Sequence, residues 1–398
     1  MALKKILILG ASRYYSRCIK AAREAGYYVI VIDRNPDSDG FQFADEFAVC
    51  DIVDKESVLK LAEKHKVSAI VPINDYGVVT AAHVTTALGL RGISPQVAEL
   101  CSNKLAMRNQ WLRKSISSPK YAIAKEKEEF ATAIELVGLP CIFKPAHGIG
   151  GASRGVIVVE NESEINDAIA FTQSFYDDKS TLVESFVISE SEHSVEVLVR
   201  EGTAHVIAVS DKIKTDLPYR VDKAVLYPSS MVGKRLEMLK SVVVEAIGAL
   251  GITNGAAHVE LAATRNSFVL FELGARCGGG GTADPIVKHS SGVDQFCEYI
   301  RILAGDEPVS LEPNRSLGCC YYFLTPHMGE VASVSGQQEM LNSKGVLDAE
   351  VFVSAGSIIT DVSVGTERSG FIITGGDTAT EALRRASSAE KLLKINYV

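Results

Sequence analysis

The 398-residue chain is predicted to fold as α/β at its front and α+β behind, on three observations. From Lys4 to Asp33 an apolar strand, a tight turn, a helix and a second strand follow one another, the opening of a parallel βαβ sheet. From Cys141 to Val159 two short strands flank a loop rich in glycine (Gly148, Gly150, Gly151, Gly155). From His258 to Gly281 a hairpin carries a glutamate on each strand and ends in Arg276 and four glycines. The length suits two or three domains, with a first boundary near Cys101.

Composition narrows the class. At 46% hydrophobic and 23% charged residues the chain reads as a soluble globular protein. A net charge of −8 argues against a general nucleic-acid binder. No apolar run approaches the roughly 20 residues needed to span a bilayer, so neither membrane nor nucleic acid is expected as a partner. The start, MALKKILILGAS, reads as a first strand and not as a signal peptide. The eight cysteines show no Cys-x-x-Cys pair, which fits reduced, mostly buried thiols in the cytoplasm. Cys277, beside Arg276, has no assignable His partner for nucleophilic work.

In chain order, Gly10-Ala11-Ser12 turns into a helix that stops at Gly26, and Tyr28 to Ile32 is the second strand. A dinucleotide fingerprint fails, because Ser12 and Tyr15 stand where its later glycines belong. Asp54 caps a helix to about Lys64, and Val67 to Pro72 is a strand. Asn74-Asp75 then lies at a strand's carboxyl end, where open α/β sheets bind ligands, or caps the next helix. Ser94-Pro95 opens a helix, and Asn103 to Lys114 is a polar one. Glu126 to Val137 is helical and stops at Gly138. Lys144-Pro145 is read as leaving the strand Cys141 to Phe143 directly before the glycine loop. That loop is not a P-loop, since no Gly-Lys-Ser/Thr follows it.

Thr181 to Phe186 is a strand, and an acidic loop follows. His193 to Val199 alternates apolar and polar residues and should be half-buried. His205 to Ser210 is a strand that leads into DKIKT and a loop with Tyr219, Arg220, Lys223 and Tyr227, a candidate for choosing an anionic or amino-acid substrate. Lys234 to Ala249 is an amphipathic helix. Pro285 to Gly305 is helical with one glycine break. The close of the chain, RSGFIITGGDTATEALRRASSAEKLLKI, is strand, turn and helix with Asp377 as cap.

In the hairpin, Thr264 to Ser267 is the turn. Side chains alternate faces along a strand. Glu260 therefore shares a face with His258 and Ala262, and Glu272 with Phe268 and Leu270. With the loop centred on Asn266, the two glutamates stand directly opposite each other. Facing carboxylates repel. Either a divalent cation such as Mg²⁺ lies between them, or they point apart on a solvated face.

Taken together, Lys104, Phe143-Lys144-Pro145 with its glycine loop, the VESFV strand, Glu260, and Glu272 followed by Arg276-x-Gly-Gly-Gly resemble the ATP-grasp superfamily of carboxylate–amine ligases. The resemblance covers nearly the whole chain and leans toward the L-amino-acid ligase, glycinamide ribonucleotide synthetase and biotin carboxylase branches. It implies an ATP-grasp fold with a Rossmann-like front domain over residues 1–101 and an ATP-grasp core over 102–305. The core's small α+β lid would span about 115–187, and a C-terminal α+β part over 306–398 would complete the module.

The resemblance also implies roles. Lys104 and Lys144 would meet the phosphates of ATP, under the loop that holds Gly148, Gly150, Gly151, Ala152 and Ser153. Glu184, Phe186 and Val187 would lie at the adenine, through the glutamate side chain or a nearby carbonyl and the Val187 amide. Glu192 would take the ribose, with Glu190 an alternative. Glu260 and Glu272 would hold Mg²⁺, or Mn²⁺ in its place. Arg276 would face the transferred phosphoryl group, Lys212 would be a further phosphate or substrate contact, and Gly278 to Gly281 would let substrate approach backbone amides. One position departs from the pattern: many relatives carry Asn two residues after the second metal glutamate, where this chain has Gly274. The implied reaction joins a small carboxylate to an amine through an acyl phosphate, releasing ADP and phosphate; a homodimer is the family's expectation. A biotin carboxylase ranks lower, since no biotin-carrying domain is evident. A non-catalytic ATP sensor is the alternative that Gly274 raises.

Overall fold

The computed structural model describes residues 3–146 and 151–398. Gly148 and Gly150, expected at the phosphates, lie outside the described residues.

The front unit is the parallel sheet that the opening predicted. Strands β1 (Lys5–Leu9), β2 (Tyr28–Asp33), β3 (Glu46–Val49) and β4 (Ala69–Pro72) stand in the order β3-β2-β1-β4. Helices α1 (Ser16–Glu24), α2 (Lys55–His65) and α3 (Asp75–Leu88) connect and flank them. Asp54 caps α2 through the Ser57 amide. Asn74, not Asp75, caps α3, accepting from the Gly77 amide, which leaves the Asp75 carboxylate free to act elsewhere. Asp33 accepts from the Ala11 and Asn35 amides and ties down the first turn.

Helices α4 (Pro95–Ser102) and α5 (Lys104–Arg113) lead to a small antiparallel sheet. Its strands are β5 (Tyr121–Ala124), β6 (Cys141–Pro145), β7 (Ile157–Val159) and β8 (Thr181–Ser185), ordered β5-β8-β6-β7 and backed by α6 (Lys127–Val137) and α7 (Ile165–Gln173). Lys144 and Pro145 are still inside β6, contrary to expectation, because β6 continues its pairing with β8 as far as Pro145↔Thr181.

Behind lies the sheet β10-β9-β13-β14, built from β9 (Ser191–Arg200), β10 (Thr203–Val209), β13 (Gly255–Ala263) and β14 (Phe268–Gly274). The DKIKT segment and the loop expected after it form two strands, β11 (Asp211–Lys214) and β12 (Asp222–Tyr227), so Lys212, Lys223 and Tyr227 are strand residues. Strand β9 is buried almost throughout, not half-buried. Its Val195, Val197 and Val199 pack under α8 (Gly233–Leu250), and Leu198 packs on the opposite side with α10 (Gln295–Ala304). Of its buried polar residues, Ser194 lines the cavity described below, Glu196 pairs with His258, and His193 bonds to the Ser210 carbonyl instead.

Helix α9 (Lys288–Ser291) precedes α10, with Gly292 as the break between them. Strands β15 (Gly318–Phe323) and β19 (Gly370–Gly376) join β11, β12 and β17 (Val346–Val351) in a sheet ordered β11-β12-β15-β19-β17. A three-stranded sheet of β16 (Gly329–Ser335), β18 (Ile358–Ile359) and β20 (Lys394–Tyr397) lies beyond it, with helices α11 (Gln337–Leu341) and α12 (Ala379–Glu390). Thr378, not Asp377, caps α12, since its hydroxyl accepts from the Glu381 amide. All eight cysteines are unpaired and seven are buried. Among the described residues no helix is long and apolar enough to cross a membrane.

Candidate active site

A cavity of about 620 Å³ opens where the front sheet, the small sheet, the β9–β14 sheet and the C-terminal strands meet. The hairpin supplies one wall. Its register runs Ala263↔Phe268 and Leu261↔Leu270, then shifts by one to Glu260↔Glu272. The two glutamates are therefore paired, as expected, but the route differs. The loop is centred between Arg265 and Asn266, and a bulge at Phe271 brings Glu272 into line. The bulge also changes its face. Phe268, Leu270 and Leu273 lie in the core, whereas Phe271 and Glu272 line the cavity with His258 and Glu260.

Each carboxylate is held by a lysine from another element. Lys104, at the start of α5, stands 2.6 Å from Glu272. Lys212, on β11, pairs with Glu260 and lies 3.5 Å from Asp222. Its side chain is only 4% exposed, which removes the solvated-loop reading of this residue. Burial alone would lower the Lys212 ammonium, but Asp222 and Glu260 outweigh it and push it up. Burial raises the Glu260 carboxyl in the same way, and Lys212 and His258 hold it well below the usual range. Lys144, on β6, stands 2.6 Å from Glu184, and Arg108 stands 2.6 Å from the other oxygen of that carboxylate. Glu184 is 2% exposed, and both its oxygens are engaged. Arg108 and Lys144 overcome its burial and keep it ionised. Phe186 and Val187 line the cavity just past β8, and Gly151, Ala152 and Ser153 line it from the glycine loop.

Glu192 lines the cavity and is paired with Arg220 at 2.5 Å. Glu190 turns away to Arg235 at 2.9 Å. Lys214, on β11, pairs with Asp222 at 2.8 Å. In the loop that the sequence offers for substrate choice, Arg220 lines the cavity, and Tyr219 packs on Phe171 with ring centroids 5.2 Å apart.

Arg276 is gripped from the front sheet. Its Nε donates to Asp75 Oδ1 at 3.0 Å and its Nη2 to Oδ2 at 2.9 Å, a fork-on-carboxylate pair. This pair also accounts for Gly274. A Cβ there would come 2.9 Å from Asp75 Oδ1 and 3.3 Å from Arg276 Cζ, so the site has no room for asparagine. The glycine run is needed mainly for its own neighbours. Gly278 donates its amide to Glu196 at 3.1 Å and leaves no space for a Cβ there, while Gly279 and Gly280 line the cavity. Cys277 is buried, and burial pushes its thiol well up, which suits no nucleophile.

Several site residues were missed in the sequence. Buried Glu196 lies 2.6 Å from His258, whose Nε2 is 3.4 Å from Glu260. Burial would lower the His258 imidazole, but Glu196 and then Glu260 push it up to about 9. The pair Glu196↔His258 sits in register on β9 and β13. A glutamate inside an apolar strand was the available signal. Asp222 and Arg368 carried none, being single charged residues in ordinary contexts.

Among the described residues no group of three or more His, Cys, Asp or Glu side chains is arranged to hold a metal by itself. A pair of facing carboxylates does suit Mg²⁺, which takes one or two carboxylates and completes its shell with water and phosphate oxygens. Chemically, the cavity offers Lys104, Lys144, Lys212 and Arg276 from four different segments, each ion-paired with a carboxylate.

Comparison with known proteins agrees with this architecture. Residues 137–284 match the ATP-grasp domain and residues 321–398 the L-amino acid ligase C-terminal domain 2. A formate-dependent phosphoribosylglycinamide formyltransferase from Burkholderia vietnamiensis is 25% identical over 270 residues, 62% of this chain and 64% of that one. One from Anaeromyxobacter dehalogenans is 28% identical over 191 residues, 48% of this chain and 49% of that one. The chain thus spans less than two thirds of the length of either. An L-amino acid ligase from Bacillus licheniformis superposes with a TM-score of 0.85 at 19% identity, covering 100% of both chains. A phosphoribosylglycinamide synthetase from Anaerococcus prevotii does so at 0.77, also at 19% and 100% of both. At such identities the likeness is one of fold. The chain thus carries an ATP-grasp domain at residues 137–284 and a C-terminal domain of the L-amino acid ligase kind at residues 321–398.

Proposed function

We propose that the chain is an ATP-dependent ligase that joins a small carboxylate to an amine, releasing ADP and phosphate. One observation carries the reading: Lys104, Lys144, Lys212 and Arg276 line one cavity with the facing carboxylates Glu260 and Glu272. Four cations match a triphosphate. The two carboxylates match the Mg²⁺ that accompanies it and supplies charge neutralisation at the phosphoryl oxygens. When nucleotide enters, Lys104 and Lys212 exchange Glu272 and Glu260 for phosphate oxygens, and Lys144 donates to phosphate while keeping its contact with Glu184, so no charge is left buried alone.

In the first step a carboxylate oxygen of the substrate attacks the γ-phosphorus. The bond from that phosphorus to the bridging oxygen breaks, and ADP leaves. In the second the amine nitrogen attacks the acyl carbon, the carbon–oxygen bond to phosphate breaks, and the nitrogen loses a proton. The chain supplies position and charge. Arg276, fixed by Asp75, presents a planar donor fork to the acyl phosphate. Lys144 and Lys104 hold the transferred phosphoryl group, and Lys212 stands beside Glu260 as a further contact. Gly151, Ala152 and Ser153 cover the phosphates and keep water from the acyl phosphate. The saturated Glu184 carboxylate leaves backbone groups at Glu184 to Val187 for adenine, and Glu192 faces the ribose. On this reading residues 1–101 form the front wall, 102–305 the nucleotide site with its lid, and 306–398 the far wall.

The testing experiment is turnover of Mg-ATP against pools of carboxylates and amines, with ADP resolved from AMP. ADP release that needs both a carboxylate and an amine supports the ligase. AMP release overturns the acyl phosphate in favour of adenylation.

A further inference from the structure

The cavity has a second end that the phosphoryl chemistry leaves unused. Five aromatic side chains form a continuous wall there. Tyr321 and Phe323, on β15, have ring centroids 4.4 Å apart. Phe371, on β19, meets Tyr321 at 5.5 Å and Phe352 at 6.0 Å. Phe352 meets Tyr14, from the first turn of the front sheet, edge to face at 5.8 Å. All five line the cavity. The wall abuts the glycine run after Arg276, since a Cβ on Gly280 would collide with the Tyr321 hydroxyl. Whatever occupies this end therefore lies next to the reacting group.

Two cations lie on these rings: Arg13, over Phe352 at 4.3 Å, is exposed and already paired with Glu350 at 2.8 Å, whereas Arg368 is set into the cavity wall. The Arg368 guanidinium carbon lies 3.5 Å from the centre of the Phe323 ring, and Nη2 donates to the Asp222 carbonyl at 2.9 Å. Its Nε is shut off from solvent and has no hydrogen-bond partner. Stacking fixes the plane of the fork and leaves a buried donor unspent. Arg368 lines the cavity, so a ligand at this end meets its fixed positive charge. Carboxylates match such a fork in geometry and charge.

We propose that this end of the cavity selects a substrate that carries an aromatic ring beside a carboxylate, as an aromatic amino acid does, with the ring among the five aromatics and the carboxylate on Arg368. The inference names the substrate class of the ligase reading and rests on it only for the fate of the bound molecule. A sugar phosphate fits poorly, because its hydroxyls would be buried against aromatic faces without partners.

The test is direct binding, which requires no turnover. L-phenylalanine, L-alanine, phenethylamine and ribose 5-phosphate are titrated into the full chain held with Mg-ADP. Phenylalanine is expected to bind at least about tenfold tighter than alanine, the least that burying its ring supplies. It should also bind at least about tenfold tighter than phenethylamine, which lacks the carboxylate. Phe352→Ala should reduce the preference over alanine to less than about threefold, and Arg368→Gln should abolish the preference over phenethylamine. ADP affinity of each variant reports that it is folded. Alanine or ribose 5-phosphate binding as tightly as phenylalanine overturns the proposal, as does absence of phenylalanine binding or a preference that survives in Phe352→Ala. Phenylalanine binding without ADP release in any pool sinks the ligase reading and leaves the aromatic site standing. ADP release with other substrates and no phenylalanine binding does the reverse.

Discussion

Asp75 and Arg276 are 201 residues apart in sequence and share two hydrogen bonds, 3.0 and 2.9 Å, across the join between the front sheet and the glycine run. The carboxylate is free for this because Asn74 caps α3 in its place. Burial raises the Asp75 carboxyl, but Arg276 overcomes that and holds it below its ordinary value. On the proposed mechanism Asp75 positions the Arg276 guanidinium at the acyl phosphate. Asp75→Asn is expected to lower ADP release by about 10²-fold, as a small misplacement of a catalytic group does, with ATP affinity nearly unchanged. Steady-state kinetics beside nucleotide binding check this; a matched loss of both contradicts the positioning role.

Gly274 follows from the same pair. Restoring the asparagine that many relatives carry puts a Cβ 2.9 Å from Asp75 Oδ1. Gly274→Asn is expected to cost about 1–3 kcal/mol of stability by overpacking and to reduce turnover, with no gain in Mg²⁺ affinity. Tighter Mg²⁺ binding with full activity runs against it. The space that an asparagine side chain would take is filled by the Asp75–Arg276 pair.

Glu184 is a separate case. It is 2% exposed between Arg108, which is fully buried, and Lys144. Replacing one partner of a buried ion cluster strands the others. Glu184→Gln is expected to destabilise the chain by about 3–5 kcal/mol, read by denaturant unfolding. Glu237→Gln, on an exposed pair with Lys240, is expected to change it by about 0–1 kcal/mol. Equal effects from the two would contradict this description of the small sheet.

Asp211 gives a pH dependence. Burial raises its carboxyl, but His193 and Ser229 outweigh it and bring it down to about 2, against an ordinary 3.8. A lowered carboxyl stabilises the fold above its ordinary value, and that contribution fades as pH falls toward the folded value. It amounts to about 2 kcal/mol at neutral pH. The stability advantage of the wild type over Asp211→Asn is expected to shrink by about 1 kcal/mol between pH 6 and pH 3. A constant difference across that range runs against it.

How far the site was legible depended on whether it rests on local pattern or on packing. The βαβ opening, the Asp54 and Ser94 caps and the hairpin strands follow from periodicity and capping chemistry, and they stand nearly where expected. The pairing of Glu260 with Glu272 was legible as an outcome. The bulge at Phe271 that produces it was not, because nothing local distinguishes a bulge from a loop displaced by one residue. Lys212 and Lys223 read as loop residues because their strands are short and highly charged; β12 gains its place by pairing with the distant β15. The partners of the cavity's cations (Asp75 for Arg276, Glu184 for Lys144) are tertiary contacts that no spacing encodes.

The central claim is that a substrate carboxylate, and not water, attacks ATP in this cavity, and that it does so at the γ-phosphorus and not at the α-phosphorus. It is tested most directly by turnover with a carboxylate substrate carrying ¹⁸O in both oxygens, followed by mass analysis of the released phosphate. The account predicts one ¹⁸O in each phosphate and none in the nucleotide. Label in AMP, or unlabelled phosphate beside a labelled product, would contradict it.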